Sequence, residues 1–301
     1  MVRVTQGMLS NNMLRNLSQS NAALGKYMDQ LTTGKKINRP SDDPVTAMNG
    51  MGYRTEVVKV EQFQRNTNEA YNWFENTDAA LSQATSALQR ISDLTKQASN
   101  DTYDADQRKN IATEIEQIKQ DLIDIANTKV NDKYIFNGTN TSIPPFDKEG
   151  VLSITDGDIK PVKIEVATGT YLQTNTDPFE AFGEMTENGD TTKLFSDIDK
   201  LIGALNEDNQ EGISEAISDM EVNFDSLVNT RADLGARMNR LELIENRLGD
   251  QEIAAIDTMS KNEDIDYAKV ITQLITQESL HRAALSTSSK IIQPTLVDFL
   301  R

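Results

Sequence analysis

The chain has no cysteine, one histidine and one tryptophan in 301 residues. Without cysteine there can be no disulfide framework, no thiolate metal site and no cysteine nucleophile. A single imidazole leaves no material for a His-rich metal centre or a mechanism that uses two. Aromatic residues make up 6% and all hydrophobic residues 37%. That is too lean for one wide core and suits long helices that bury narrow stripes. No apolar run is long enough to span a bilayer, and Met1-Val2-Arg3-Val4-Thr5-Gln6-Gly7 has no apolar h-region. Neither membrane insertion nor a conventional cleaved signal is therefore expected.

Charge is present in excess, and it is uneven. There are 47 acidic and 30 basic residues, a formal net charge of −17, which disfavours nucleic acid and anionic membranes as partners. Residues 1–60 carry a net +4 and residues 265–301 a net +1, so residues 61–264 carry −22. An acidic middle facing water and ends buried by packing would produce this split.

Catalytic motifs fail when tested by spacing. Thr33-Gly34-Lys35-Lys36 suggests a phosphate loop, but the earlier glycine is replaced by Asp29, and Lys36 stands where Ser or Thr is needed. Neighbouring acids such as Asp42 and Asp43 say little about acid–base work in so acidic a chain. Thr155-Asp156-Gly157-Asp158 has the spacing of a turn, not of a calcium loop. Asn137-Gly138-Thr139 and Asn140-Thr141-Ser142 fit a glycosylation acceptor but read as turns. His281 falls on an amphipathic stripe and reads as a packing residue. No enzyme, cofactor or metal site is expected.

Hydrophobic periodicity is what the chain does have. Leu14, Leu17, Asn21, Leu24, Met28 and Leu31 step by 3, 4, 3, 4, 3, a coiled-coil seam with one polar break. Near the other end Tyr267, Ile271, Leu274, Glu278, His281, Leu285, Ser288, Ile292, Thr295 and Phe299 keep the same rhythm, with half the positions polar or small. Such thin stripes cannot hold isolated helices, so both ends are expected to be disordered in the free monomer and to order by packing. The apolar residues of the two stripes, Leu14, Leu17, Leu24, Met28, Leu31, Tyr267, Ile271, Leu274, Leu285, Ile292 and Phe299, form the candidate self-assembly seam.

Stronger stripes lie inside. Leu81, Ala84, Leu88, Ile91 and Ala98 mark one helix, opened by an Asp43 cap with Pro44 at its first position. Asn100 to Asp104 reads as a turn into an antiparallel helix through Ile111, Ile115, Ile118, Leu122 and Ile125, ending near Val130. A third helix carries Leu227, Leu234, Met238, Leu241, Leu248 and Ala255. Between them, Gly and Pro punctuate residues 136–193, where 151–154 and 162–166 alternate as short strands. The expected fold is mainly α with a small β-rich insertion: an elongated antiparallel helical bundle, the insertion at its far end, both termini at the other. Three parts follow: 1–42 with 265–301, 43–135 with 194–264, and 136–193.

Two distant blocks carry a family resemblance. Leu31-Thr32-Thr33-Gly34-Lys35-Lys36-Ile37-Asn38-Arg39-Pro40-Ser41-Asp42-Asp43-Pro44 resembles the N-terminal signature of the flagellin superfamily. Arg231-Ala232-Asp233-Leu234-Gly235-Ala236-Arg237-Met238-Asn239-Arg240-Leu241-Glu242, together with Asp266-Tyr267-Ala268 and Phe299-Leu300-Arg301, resembles its C-terminal core. Met1 to Gln6, the prolines at 40 and 44, and Tyr134-Ile135-Phe136-Asn137-Gly138-Thr139-Asn140 are most similar to the branch that joins hook to filament.

The resemblance implies a structural subunit of the bacterial flagellum, exported by the flagellar type III apparatus and forming an adaptor ring. Its implied partners are its own copies, another hook-associated protein on the hook side, flagellin on the filament side and a cytoplasmic export chaperone. The chaperone contact would fall at Ile271, Leu274, His281 and Leu285. Filament flagellin is the alternative reading. A secreted enzyme or ligand-binding protein that uses the insertion is a distant third.

Overall fold

The computed structural model describes residues 6–100, 103–153, 159–186 and 189–292. Seven helices carry most of it: α1 (Gln6–Thr33), α2 (Pro44–Ala98), α3 (Ala105–Ala126), α4 (Pro178–Phe182), α5 (Lys193–Asn206), α6 (Gln210–Glu263) and α7 (Tyr267–Ile292). Four short strands complete it: β1 (Lys129–Val130), β2 (Lys133–Tyr134), β3 (Lys163–Ala167) and β4 (Thr170–Gln173). Two compact units divide the chain, one of residues 1–59 with 251–301 and one of residues 60–250. Helices α2 and α6 contribute to both.

Capping sets where the helices begin. Asp43 accepts hydrogen bonds from the backbone N–H of Val45 (3.1 Å) and Thr46 (3.2 Å) and from the Thr46 hydroxyl (2.7 Å). Those donors, the hydroxyl foremost, hold its carboxyl below the usual range. Asp104 and Gln107 form a reciprocal capping box that opens α3. Asp104→Ala is expected to cost about 1 kcal/mol, read as a lower urea midpoint with an unchanged slope.

Within residues 60–250 the helices lie antiparallel. Arg90 pairs with Glu114 (2.6 Å) while Arg108 Nε reaches the carbonyl of Ala98 (3.1 Å), so α3 returns along α2. Lys119 to Asp199 (2.5 Å) and Arg108 to Asp208 tie α3 to α5 and to the turn before α6. Arg231 to Asp78 (2.7 Å) fixes α6 against α2. Met220, Leu227, Leu234, Leu241 and Leu248 recur every seven residues and are all buried, a coiled-coil rhythm facing the stripe of Leu81, Ala84, Leu88 and Ile91.

Two local readings are corrected. Helix α3 stops at Ala126, and residues 129–134 form a tight hairpin instead of continuing to Val130. Asn131 and Asp132 both take positive φ (51° and 62°), the pairing that a two-residue turn matched to strand twist requires. Of the expected strand 151–154, Leu152 makes a lone bridge to Phe146, and Ile154 lies outside the described residues. The second expected strand is real: β3 pairs with β4, Ile164 opposite Leu172.

The insertion is also placed differently from the expectation. It packs along the flank of the bundle, not beyond its end. Asn66 on α2 donates to the Glu165 carbonyl (2.8 Å), and Thr230 on α6 donates to the Glu180 carbonyl (2.6 Å). Phe136, Phe146 and Phe182 gather with Phe195 of α5, and edge-on ring pairs 5.0–5.7 Å apart link them. These rings are fully buried in the same core as the helices. Four aromatics joined to the bundle supply the apolar burial that two short strands could not provide alone.

Candidate assembly surface

In the unit of residues 1–59 and 251–301, α1 and α7 lie side by side and antiparallel. Gln277 Nε2 (3.1 Å) and His281 Nδ1 (3.2 Å) both meet the Ser20 hydroxyl. The sides turned to each other are regular. On α1 they are Met13, Leu17, Ser20, Leu24, Tyr27 and Leu31; on α7, Val270, Leu274, Gln277, His281, Ala284 and Ser288. Each set steps by 4, 3, 4, 3, 4, the spacing of a two-helix seam. The seam on α7 is mostly small or polar, so the pair buries little apolar surface for its length.

A second set of large apolar side chains points elsewhere. Leu14, Met28, Tyr267, Ile271 and Leu285 are exposed, as are Met8, Ile275 and Leu280. Of the candidate seam, Leu17, Leu24, Leu31 and Leu274 face the intramolecular pair and are half-buried. The Ile292 side chain and Phe299 lie outside the described residues. Of the candidate chaperone residues, Ile271 and Leu285 are exposed, while Leu274 and His281 sit in the pair.

Sequence reading missed a second apolar set in this unit. Val45, Met48, Met51 and Val58 on α2, and Ile253 and Ile256 on α6, are also exposed. The signal was available as a three-residue apolar spacing from 45 to 51. Of the 20 large apolar side chains that stand exposed among the described residues, 14 belong to this smaller unit. A soluble monomer rarely gathers so much apolar surface without a partner for it.

A polar clamp fixes the signature loop between α1 and α2. Gly34 takes φ +70°, and its carbonyl accepts from Ile265 N–H (3.1 Å), while Lys36 N–H donates to the Glu263 carbonyl (2.6 Å). The Glu263 carboxylate is buried and is met by Arg54 (2.7 Å) and Lys35 (3.5 Å); Lys35 also meets Asp264 (2.6 Å). The Lys35 bond, then that from Ser260, holds the Asp264 carboxyl below its ordinary range. Asp264 therefore contributes above the ordinary carboxylate pKa, and its contribution fades as pH falls through the lower folded value.

Gly50 explains how a carboxylate fits there. A Cβ at that position would lie 2.6 Å from Glu263 Oε1. Glycine in a helix interior costs about 1 kcal/mol against alanine, so its presence marks the close approach. Gly50→Val is expected to expel Glu263 and lower the melting temperature, although it removes a glycine from a helix.

Among the described residues no group of three or more His, Cys, Asp or Glu could hold a metal ion, and no helix is long and apolar enough to cross a membrane.

Residues 4–141 match the helical N-terminal region of bacterial flagellin. The chain is 27% identical over 299 residues to flagellar hook-associated protein 3 of Escherichia coli, with 93% of each covered. It is 25% identical over 293 residues to flagellin of Bacillus subtilis, with 94% of each covered. Its fold is shared with the flagellar junction protein FlgL of Legionella pneumophila, at a TM-score of 0.57 and 16% identity, over 73% of this chain and 100% of that one.

Proposed function

Because the chain belongs to the bacterial flagellin superfamily, we propose that it is the structural subunit forming the adaptor ring between flagellar hook and filament. The observation that carries this reading is the concentration of exposed apolar side chains on the terminal unit. They form a surface that becomes dry only between molecules. Its greater likeness to hook-associated protein 3, together with Pro40 and Pro44 in the signature loop, favours the junction over the shaft.

In this reading residues 1–42 with 265–301 polymerise, 43–135 with 194–264 form the bundle, and 136–193 face outward. The subunit packs against its own copies, a hook-associated protein below and flagellin above. Leu14, Met28, Tyr267, Ile271 and Leu285 make contacts between copies, while Leu17, Leu24, Leu31 and Leu274 hold α1 to α7. Ile292 and Phe299 keep the same spacing in the sequence. Before export, a cytoplasmic chaperone covers Ile271, Leu274, His281 and Leu285. The free chain keeps α1 and α7 only marginally stable, because their shared seam is thin. Limited proteolysis that spares both helices in dilute monomer would contradict that point.

Deleting the gene tests the function directly. The expected phenotype is cells with hooks but no filaments, and flagellin accumulating in the medium. Full-length filaments on the deletion strain would refute the proposal.

A further inference from the structure

Where the insertion meets α2 on the flank of the bundle lies a groove of about 530 Å³. That is within the size range of sites that hold small organic molecules. Its floor is apolar: Trp73, the only tryptophan of the chain, is 9% exposed, and Val162 and Ile164 beside it are half-buried. The rim is polar. Lys133 and Lys163 stand exposed on it, and Glu69, Thr139 and Thr141 complete it.

The backbone around the groove is already committed. Val162 N–H donates to Asn175 Oδ1 (2.7 Å), and its carbonyl accepts from Thr174 N–H (3.0 Å). The Glu165 carbonyl accepts from Asn66 (2.8 Å) and the Thr141 carbonyl from Tyr134 N–H (3.0 Å). Thr139 N–H donates to the Lys160 carbonyl (3.2 Å). An extended peptide, which is held through backbone groups, finds these taken. Recognition falls to the side chains.

Those side chains differ in kind. The two ammonium groups only donate, the Glu69 carboxylate accepts, and the threonine hydroxyls can do both. Neither Lys133 nor Lys163 has an ion pair among the described residues, although residues 61–264 carry a net −22. A sugar ring matches this combination. Its hydroxyls give and take hydrogen bonds around the edge, while its C–H groups rest on an apolar, partly aromatic floor. Two cations against one carboxylate leave a positive charge over. We propose that the groove binds a saccharide that bears a carboxylate, the acid group met by Lys133 and Lys163 and the ring lying over Trp73. All these residues belong to the unit of residues 60–250, and the inference does not rest on the assembly reading.

Because Trp73 is the only tryptophan, its emission reports on this groove alone. The full chain is titrated with sodium glucuronate, with glucose and sodium acetate as controls. A saturable change in emission is expected at roughly 1 mM glucuronate. Glucose should bind about tenfold more weakly, and acetate should not saturate. Lys133→Ala with Lys163→Ala is expected to weaken glucuronate binding about tenfold or more. The melting temperature should stay the same, since both side chains are exposed. No saturation with glucuronate, an equal response to glucose or acetate, or unchanged binding in the alanine variant overturns the inference. Each of those results leaves the assembly reading standing.

Discussion

Ile271→Asp together with Leu285→Asp is expected to abolish incorporation into flagella and with it motility, while the free chain keeps its stability. Both side chains are exposed on α7, 44% and 46%, so in the monomer the new carboxylates stay in water. Exposed substitutions of this kind usually change stability by less than about 0.5 kcal/mol. In the proposed array the same positions would be dry. Each carboxylate would then lose its hydration without a partner, a penalty of several kcal/mol per ion, repeated at every copy. Measuring swimming and melting on the same variant separates the two effects. A companion change at Leu24 is less clean, because Leu24 faces α7 within the monomer and its loss would loosen the pair itself.

Phe195→Ala should have the largest effect on the fold. Its ring is fully buried, 5.0 Å from Phe146 and 6.1 Å from Phe182, where the insertion joins α5. Truncating a buried phenylalanine costs about 3–5 kcal/mol. For a unit of this size that lowers the melting temperature by roughly 10 °C. Phe195→Leu keeps most of the volume and should cost far less. If Phe195→Ala melts with the parent, the insertion is not held by this cluster.

How much of this was legible in the sequence differs from element to element. The Asp43-Pro44 start of α2 was readable because a capping carboxylate followed by proline leaves few alternatives. The heptad from Leu227 to Leu248 was readable because every position is apolar and all of them are buried. The end of α3 was not, because Val130 falls four residues after Ala126 and keeps the apolar step, and the turn depends on Asn131 and Asp132 accepting positive φ. Placement of the insertion was hidden too. Phe136, Phe146, Phe182 and Phe195 lie far apart in the chain, and nothing local shows that they meet.

The α7 stripe is the most instructive case. Ile271 and Leu285 are apolar residues at seam spacing, yet the seam within the molecule uses Val270, Gln277 and Ala284, with Leu274, His281 and Ser288 common to both. Apolar periodicity shows which residues need cover. It does not show whether the cover comes from the same chain or the next. Val45, Met48 and Met51 are hard to read for a related reason, since on a long helix their spacing is easily absorbed into the bundle stripe.

One measurement addresses the central claim most directly. Gold-tagged antibody against the 136–193 insertion, applied to sheared flagella, is expected to mark a single short band at the hook end of each filament. Label along the whole shaft would contradict the junction reading and make the chain a filament subunit.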